Sequence, residues 1–551
     1  MRSILSSSAA MLLLVAGGGP AVPRTADDIG PVSRDIVIYG CTSAGVIATI
    51  AARQHGKAVT LLCERDYVGG MTTNGLGYSD VGNHRAIGGL SLEFYKRMKA
   101  YYDRPGAWLY SSQVDDQRAF VSDGAQWIFE PHVAEKVYGQ WLSEVGVKPI
   151  LDSRLDRSAT GIRLQDGAIT AIRTENGKWY RGRMFIDATY EGDLMAAAGV
   201  DFTTGREANA TYGETLNGVE LAKSTNHQFE ADVDPYREPG KPESGLLPYV
   251  TAEKPAADGS ADGKIQAYMY RLCLTDVAAN RVALQKPRDY DPMNYQLLAR
   301  YFTKGFDQAF RKFDRIPNGK TDVNNWGAFS FDAIGLNYGY PTATYAERDR
   351  IRAAHISYQR GLLWFLGHDP QVPARIRTEM LRWGYCRDEF IRNGYWPREI
   401  YVREGRRMVS DFVMAEPQLR GDKPTPEPVG MGSYNMDSHN VQRIVDERGF
   451  ARNEGNIEIS PGRAYPISYR AIVPKAGQAN NLLVPVALSA SHMAYGSIRM
   501  EPVFMILGQA AATAASLAID DKVPVQEVPY DDLRRDLLAH GQILSLASPA
   551  R

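Results

Sequence analysis

The sequence predicts an α/β protein whose nucleotide-binding unit is divided around a mixed α+β region. Three observations carry this reading. Residues 35–70 run strand, glycine turn, helix, strand, acid; residues 201–460 leave that pattern; and an apolar strand followed by a small-residue helix returns at 481–517.

Ile36-Val37-Ile38-Tyr39 is an apolar β-type run, Gly40 turns the chain, and Ala44 to His55 has helical periodicity up to the stop at Gly56. Ala58 to Leu62 is a second apolar run, and Glu64 sits just beyond it. This is the order of a Rossmann-like dinucleotide-binding βαβ unit. Gly40 permits the sharp turn and Gly45 the close packing of helix on sheet. The helix start at Thr42, Ser43 and Ala44 points N–H groups at a diphosphate. Glu64, about twenty residues on, is placed to accept the hydroxyls of a ribose. Thr42 stands where the fingerprint has its middle glycine. Cys41 reads as a small buried residue at a strand end.

Arg65 and the pair Gly69-Gly70 follow, then MTTNGLGYSDVG. With FEPHVAE, FIDATYEGDLMAAAGVDFTTGRE, HISYQRGLLWFL, YVREGRRMVSDFVM, MGSYNMDSHNVQR and NLLVPVALSASHMAYGSIRMEPVFMILGQAAATAA, the chain resembles a bacterial family of FAD-dependent oxidoreductases. These are of the single-Rossmann, glutathione-reductase-like type, often found near polysaccharide-degradation genes. The resemblance implies FAD as cofactor, with Gly69, Gly70, Met71 and Thr72 near the flavin and its phosphates. It implies that backbone near Leu155 reads the adenine edge and that the strand end at Ala188 and Thr189 closes over the cofactor. It also implies that Ser497, Arg499 and Met500 lead a helix amino end to the flavin's pyrimidine edge. Tyr190 stands where the family usually has glycine.

Further along, Gly88-Gly89 opens a helix to Tyr101, and a second helix runs from His132 to Val145. Residues 149–155 and 183–188 read as strands, with a hairpin turn at Asp166-Gly167. Tyr268 to Thr275 reads as a strand, while 342–368 and 374–392 carry helical periodicity. Asn481 to Val486 is the closing strand, Ala487 to Gly496 a loop, and Val503 to Leu517 a helix. The expected division is a leader at 1–26, an FAD-binding domain at 33–200 and 461–520, a substrate domain at 201–460, and a C-terminal segment at 521–551.

A chain of 551 residues exceeds one core. Its 63 basic and 64 acidic side chains leave a formal charge of −1, which argues against nucleic acid or an anionic membrane held by bulk charge. The four scattered cysteines have neither iron–sulfur nor redox-dithiol spacing, and no metal is expected. Cys41 and Cys63 end neighbouring strands, where a disulfide is geometrically possible but not expected. Arg2, the apolar stretch Ala9 to Ala16 and a small-residue exit read as a short Sec-type signal, so the expected location is periplasmic, with a cytoplasmic alternative. The apolar stretch is too short to span a bilayer.

Dehydrogenation beside O or N needs a base for the heteroatom proton, and histidine is the first candidate. His492 and His439 sit in polar, aromatic, glycine-lined contexts, Asp437 is a carboxylate able to orient His439, and Tyr434 is a further proton donor or stacking partner. Arg403 and Arg407, with Tyr434, form the expected substrate contacts, set against internal pairing of the arginines with Glu404 and Asp411. The substrate class is a small polar, carbohydrate-derived C–OH or C–N compound, a uronate if the arginines converge. Oxygen, a quinone or another soluble acceptor completes the cycle. The rivals are a flavin enzyme of elimination or isomerisation and a non-catalytic nucleotide- or carbohydrate-binding module.

Overall fold

The structure is a computed structural model, and it describes residues 33–111 and 121–546; the expected leader lies outside the described residues. Strand β1 (Ser33–Tyr39) ends in four residues, Ile36 to Tyr39, that are fully buried. That is the mark of a parallel strand covered on both faces. Helix α1 (Ser43–Gln54) begins one residue earlier than periodicity predicts, because Thr42 caps it and accepts a hydrogen bond from the Gly45 N–H. Strand β2 (Val59–Leu62) then lies parallel to β1.

Helices α2 (Gly89–Tyr102) and α3 (Pro131–Glu144) follow, α3 with proline in its first turn. Strands β3 (Ile162–Gln165) and β4 (Ala168–Arg173) form a hairpin whose turn residues, Asp166 and Gly167, both have positive φ. Strand β5 (Trp179–Asp187) pairs with β4 and lies parallel to β1, giving the order β2-β1-β5-β4-β3. The strand expected at 149–155 is reduced to single bridges, Ile150 with Leu62 and Leu155 with Thr174. Leu155 is held by tyrosine hydroxyls: its N–H donates to Tyr39 and its carbonyl accepts from Tyr345.

The central region contributes β6 (Leu272–Thr275), β7 (Arg281–Val282), β8 (Phe313–Ile316) and β9 (Lys320–Val323). After them come α4 (Tyr345–His368), opened by a Thr344–Glu347 capping box, and β10 (Gly384–Cys386). These strands make an antiparallel sheet in the order β7-β10-β6-β9-β8. The periodicity expected to continue to residue 392 stops at Met380, because Gly384 to Cys386 are drawn into that sheet.

Strand β11 (Met436–Ser438) pairs antiparallel with Ile457–Ile459, and β12 (Gln442–Val445) pairs antiparallel with Ala451–Glu454. Strand β13 (Leu482–Leu483) then returns to the first sheet, parallel to β5. The expected loop at 487–496 is partly helical: α5 (His492–Ile498) is capped by Ser491, whose hydroxyl accepts from the Ala494 N–H. Helix α6 (Glu501–Asp521) carries proline in its first turn and packs on α1. A Cβ added at Gly508 would lie 2.3 Å from the Ala44 carbonyl oxygen, so only glycine allows that approach. By length and composition α6 is apolar enough to cross a membrane, yet 94% of its apolar window is buried in the protein.

One expectation is corrected here. Cys41 and Cys63 are joined by a disulfide. They lie just past the ends of paired parallel strands, which brings their Cα atoms to 4.9 Å, inside the range a disulfide requires.

Candidate functional site

A crevice opens at the amino end of α1. It is lined by Gly40, Cys41 and Thr42 on one side, by Glu64, Arg65 and Gly70 on another, and by Thr189, Tyr190, Glu191 and Glu399 above. Gly40, at φ 104°, sits where a Cβ would come within 2.6 Å of the Ala188 carbonyl carbon. The Thr42 hydroxyl donates to the Ala188 carbonyl at 2.7 Å, tying the turn to the end of β5. Ser43, Ala44 and Gly45 form the first turn of α1, and the Gly69 N–H donates to the Cys41 carbonyl. The turn, the strand end and the glycine pair therefore meet at one crevice, as their positions in the chain predict.

Glu64 stands at the far end, taking a 2.7 Å hydrogen bond from the Tyr39 hydroxyl. Burial, with Glu191 and Asp193 adding negative charge, pushes its carboxyl up to about 8. Tyr39 and Tyr345 also border this end, and neither was singled out from the sequence. Leu155 is nearby, but its two backbone groups are already bonded to those tyrosines. Arg65, also part of the lining, lies 3.5 Å from Asp349.

The residue that joins the parts is Glu501, at the start of α6. It accepts from Ser43 Oγ at 2.5 Å, Tyr190 Oη at 2.6 Å and Thr72 Oγ1 at 2.9 Å. Tyr190 in turn accepts from the Met71 N–H at 2.9 Å. Sequence reasoning passed over Glu501, although an acid directly before the helix-opening Pro502 was there to be seen. Met500 caps α6. Ser497 is used elsewhere, its hydroxyl bonding the Tyr434 carbonyl at 2.6 Å and Tyr465 Oη at 2.5 Å.

A second group of polar side chains lies beyond Arg499. Arg499 donates to Tyr401 Oη and to Asp437 Oδ2, both at 2.8 Å, so it belongs to this group and not to the crevice at the amino end of α1. His439 lies between two carboxylates, with Nδ1 2.7 Å from Asp332 and Nε2 3.4 Å from Asp437. Burial and the Arg403 charge work against its protonation, but Asp437 and Asp332 outweigh them, and its pKa stands above the ordinary imidazole value. Arg403 is fully buried, pairs with Asp332 at 2.9 Å, and leaves Nε and Nη2 without hydrogen-bond partners. Tyr434 donates to Asp80 at 3.2 Å.

Two expected roles do not fit the geometry. His492 is 1% exposed, with Nδ1 2.6 Å from Glu404 and Nε2 3.1 Å from Ser438 Oγ. Burial, reinforced by Arg407 and Arg206, pulls its pKa down to about 3. Both ring nitrogens are committed, so it has none for a substrate. Arg407 does not converge with Arg403. It is bound by Glu207 at 2.5 Å, by Glu404, and by the Gly205 and Ala490 carbonyls, so internal pairing takes it, with Glu404 as foreseen and Glu207 in place of Asp411.

A sequence model of the family described as FAD dependent oxidoreductase matches residues 35–537. No curated protein matches the chain. Among solved structures, the OxyS anhydrotetracycline hydroxylase from Streptomyces rimosus is 12% identical, with a TM-score of 0.23 over 36% of this chain and 41% of that one. The L-proline dehydrogenase from P. horikoshii is 18% identical, with a TM-score of 0.23 over 32% of this chain and 59% of that one. The chain thus covers less than two thirds of either structure.

Proposed function

The chain belongs to the FAD-dependent oxidoreductase family, and we propose that it dehydrogenates a small polar, carbohydrate-derived substrate at a C–OH or C–N centre. FAD is its cofactor, and the crevice at the α1 amino end has residues that suit it. The α1 amino end takes the diphosphate, Glu64 takes the ribose, and Glu501 fastens Ser43, Thr72 and Tyr190 around the centre of the cradle. Bound FAD supplies a hydride acceptor.

The observation that carries the reading is His439 held between Asp332 and Asp437. As a substrate hydroxyl or amine gives up hydride from its carbon, His439 takes the heteroatom proton. The two carboxylates stabilise the imidazolium so formed. Arg403, with two unpartnered nitrogens, holds a substrate oxygen, and Tyr434 flanks the same space. Three buried or partly buried carboxylates (Asp80, Asp332 and Asp437) face Arg403, Arg499 and His439 here, so a neutral sugar is favoured over a uronate. Oxygen, a quinone or another soluble acceptor takes the electrons onward.

The same reading places the nucleotide domain at 33–200 and 461–520, of the glutathione-reductase-like type, around a substrate domain at 201–460. It also places the protein in the periplasm, which the Cys41–Cys63 disulfide supports, since such bonds persist in oxidising compartments. The test is an anaerobic screen of the purified holoenzyme against sugars, uronates and amines. Bleaching of the flavin bands by a sugar or an amino sugar is expected. A yellow protein bleached by none of them, but active in an elimination assay without acceptor, would overturn the redox reading.

A further inference from the structure

The central antiparallel sheet holds the other two cysteines, Cys273 on β6 and Cys386 on β10, which are 2% and 0% exposed. The register pairs Thr275 with Gly384 and Leu274 with Tyr385, and its next step sets Cys273 opposite Cys386. Directly opposed residues of an antiparallel pair have Cα atoms about 4.5–5.5 Å apart, inside the range of about 4.4–6.8 Å that a disulfide spans. The two sulfurs lie 3.0 Å apart, closer than unbonded sulfur atoms rest.

We infer that Cys273 and Cys386 form a second disulfide in the mature protein, leaving none of its four cysteines free. The chain already carries one disulfide, so it folds where thiols are oxidised. Closing the second bond removes one proton from each thiol and two electrons from the pair. Those electrons and protons pass to a disulfide oxidant, either a disulfide-carrying protein, which leaves as its dithiol, or oxidised glutathione, which leaves as two glutathione thiols. Burial raises both thiols above their ordinary pKa, so the reactive thiolate is scarce once the sheet is packed. The bond therefore forms while β6 and β10 are assembling, and afterwards it is shielded from exchange.

The bond has a structural purpose. It closes a loop across a sequence separation of 113 residues that contains α4. Three residues beyond Cys386, Glu389 binds Lys320 Nζ and His132 Nδ1, each at 2.7 Å. Lys320 also binds Glu130 at 2.7 Å, and Glu130 and His132 stand at the start of α3. The second disulfide thus anchors the strand that fastens the central sheet to the helix behind the nucleotide crevice.

The experiment is to export the full chain into a bacterial periplasm, purify it without reductant, alkylate it in denaturant and measure its intact mass. No alkyl group is expected, together with a Cys273–Cys386 cross-linked peptide that disappears on reduction. Two alkyl groups per chain, or a cross-link that pairs these cysteines otherwise, would overturn the inference. As an independent readout, protein reduced in denaturant and refolded with reductant present should have its Tm lowered by several degrees more, relative to the oxidised protein, than a Cys273→Ser/Cys386→Ser variant treated alike. Equal falls would count against it.

Discussion

Asp332 divides its carboxylate between two partners: Oδ2 lies 2.7 Å from His439 Nδ1, and Oδ1 lies 2.9 Å from Arg403 Nη1. One buried acid therefore orients both the imidazole and the guanidinium assigned to the substrate. Replacing His439 with alanine should slow flavin reduction on the order of 10²-fold, the usual worth of a general base. FAD content should be unchanged, because the polar partners of His439, namely Gln266, Asp332 and Asp437, are not among the residues that line the crevice. Rapid-mixing kinetics on the yellow variant will show whether the rate falls.

The pH profile follows from the same carboxylates. Base action needs neutral His439, and its pKa in the folded protein lies above the ordinary value. Flavin reduction should therefore be slow on the acid side and rise as pH passes through that raised pKa. Asp332→Asn removes one of the charges that raise it, so the midpoint should move to lower pH. A midpoint that stays in place in this variant would separate Asp332 from the proton chemistry.

His492 should behave oppositely, as a stability residue. Its folded pKa is depressed to about 3, so between the ordinary imidazole value and that point the unfolded chain binds a proton the folded chain refuses. Stability is then lost as pH falls through that window. His492→Gln should flatten this acid limb in denaturant titrations while leaving the pH midpoint of flavin reduction where it was.

Gly45→Val places a Cβ 1.9 Å from the Gly40 carbonyl oxygen, a contact that displaces either α1 or the turn before it. The variant should purify without flavin, as absorbance will show. A normally yellow product would contradict the placement of the diphosphate at this helix end.

Glu501→Ala removes the acceptor shared by Ser43, Thr72 and Tyr190. Hydrogen bonds to a charged group are worth about 1.5–3 kcal/mol each, and part of the loss is recovered when the donors re-pair with water. FAD affinity should fall on the order of 10²-fold, measured by fluorescence titration of apoprotein.

The parts of the fold read correctly from the chain are those set by neighbours in sequence. The strand, turn, helix and strand from Ile36 to Leu62 follow local periodicity and one glycine, and the proline-led helix after Met500 follows the same logic. What sequence could not supply are pairings made across the fold. Glu501 meets Ser43 from 458 residues away, and Arg407 meets Glu207 from 200. An arginine cluster in the chain says nothing about which carboxylates will surround each member. Leu155 shows a second kind of failure: a sequence apt for a strand lost its ladder to two tyrosine hydroxyls. The Cys41–Cys63 bond was visible as a possibility, and only the convergence of the two strand ends decided it.

The sheet begun at Ser33 receives its last strand at Leu482, and Tyr190 in the crevice wall receives its partner Glu501 later still. A ribosome must therefore finish nearly the whole polypeptide before any cofactor can be captured. Prematurely terminated products, even those retaining the entire glycine turn and first helix, would emerge colourless.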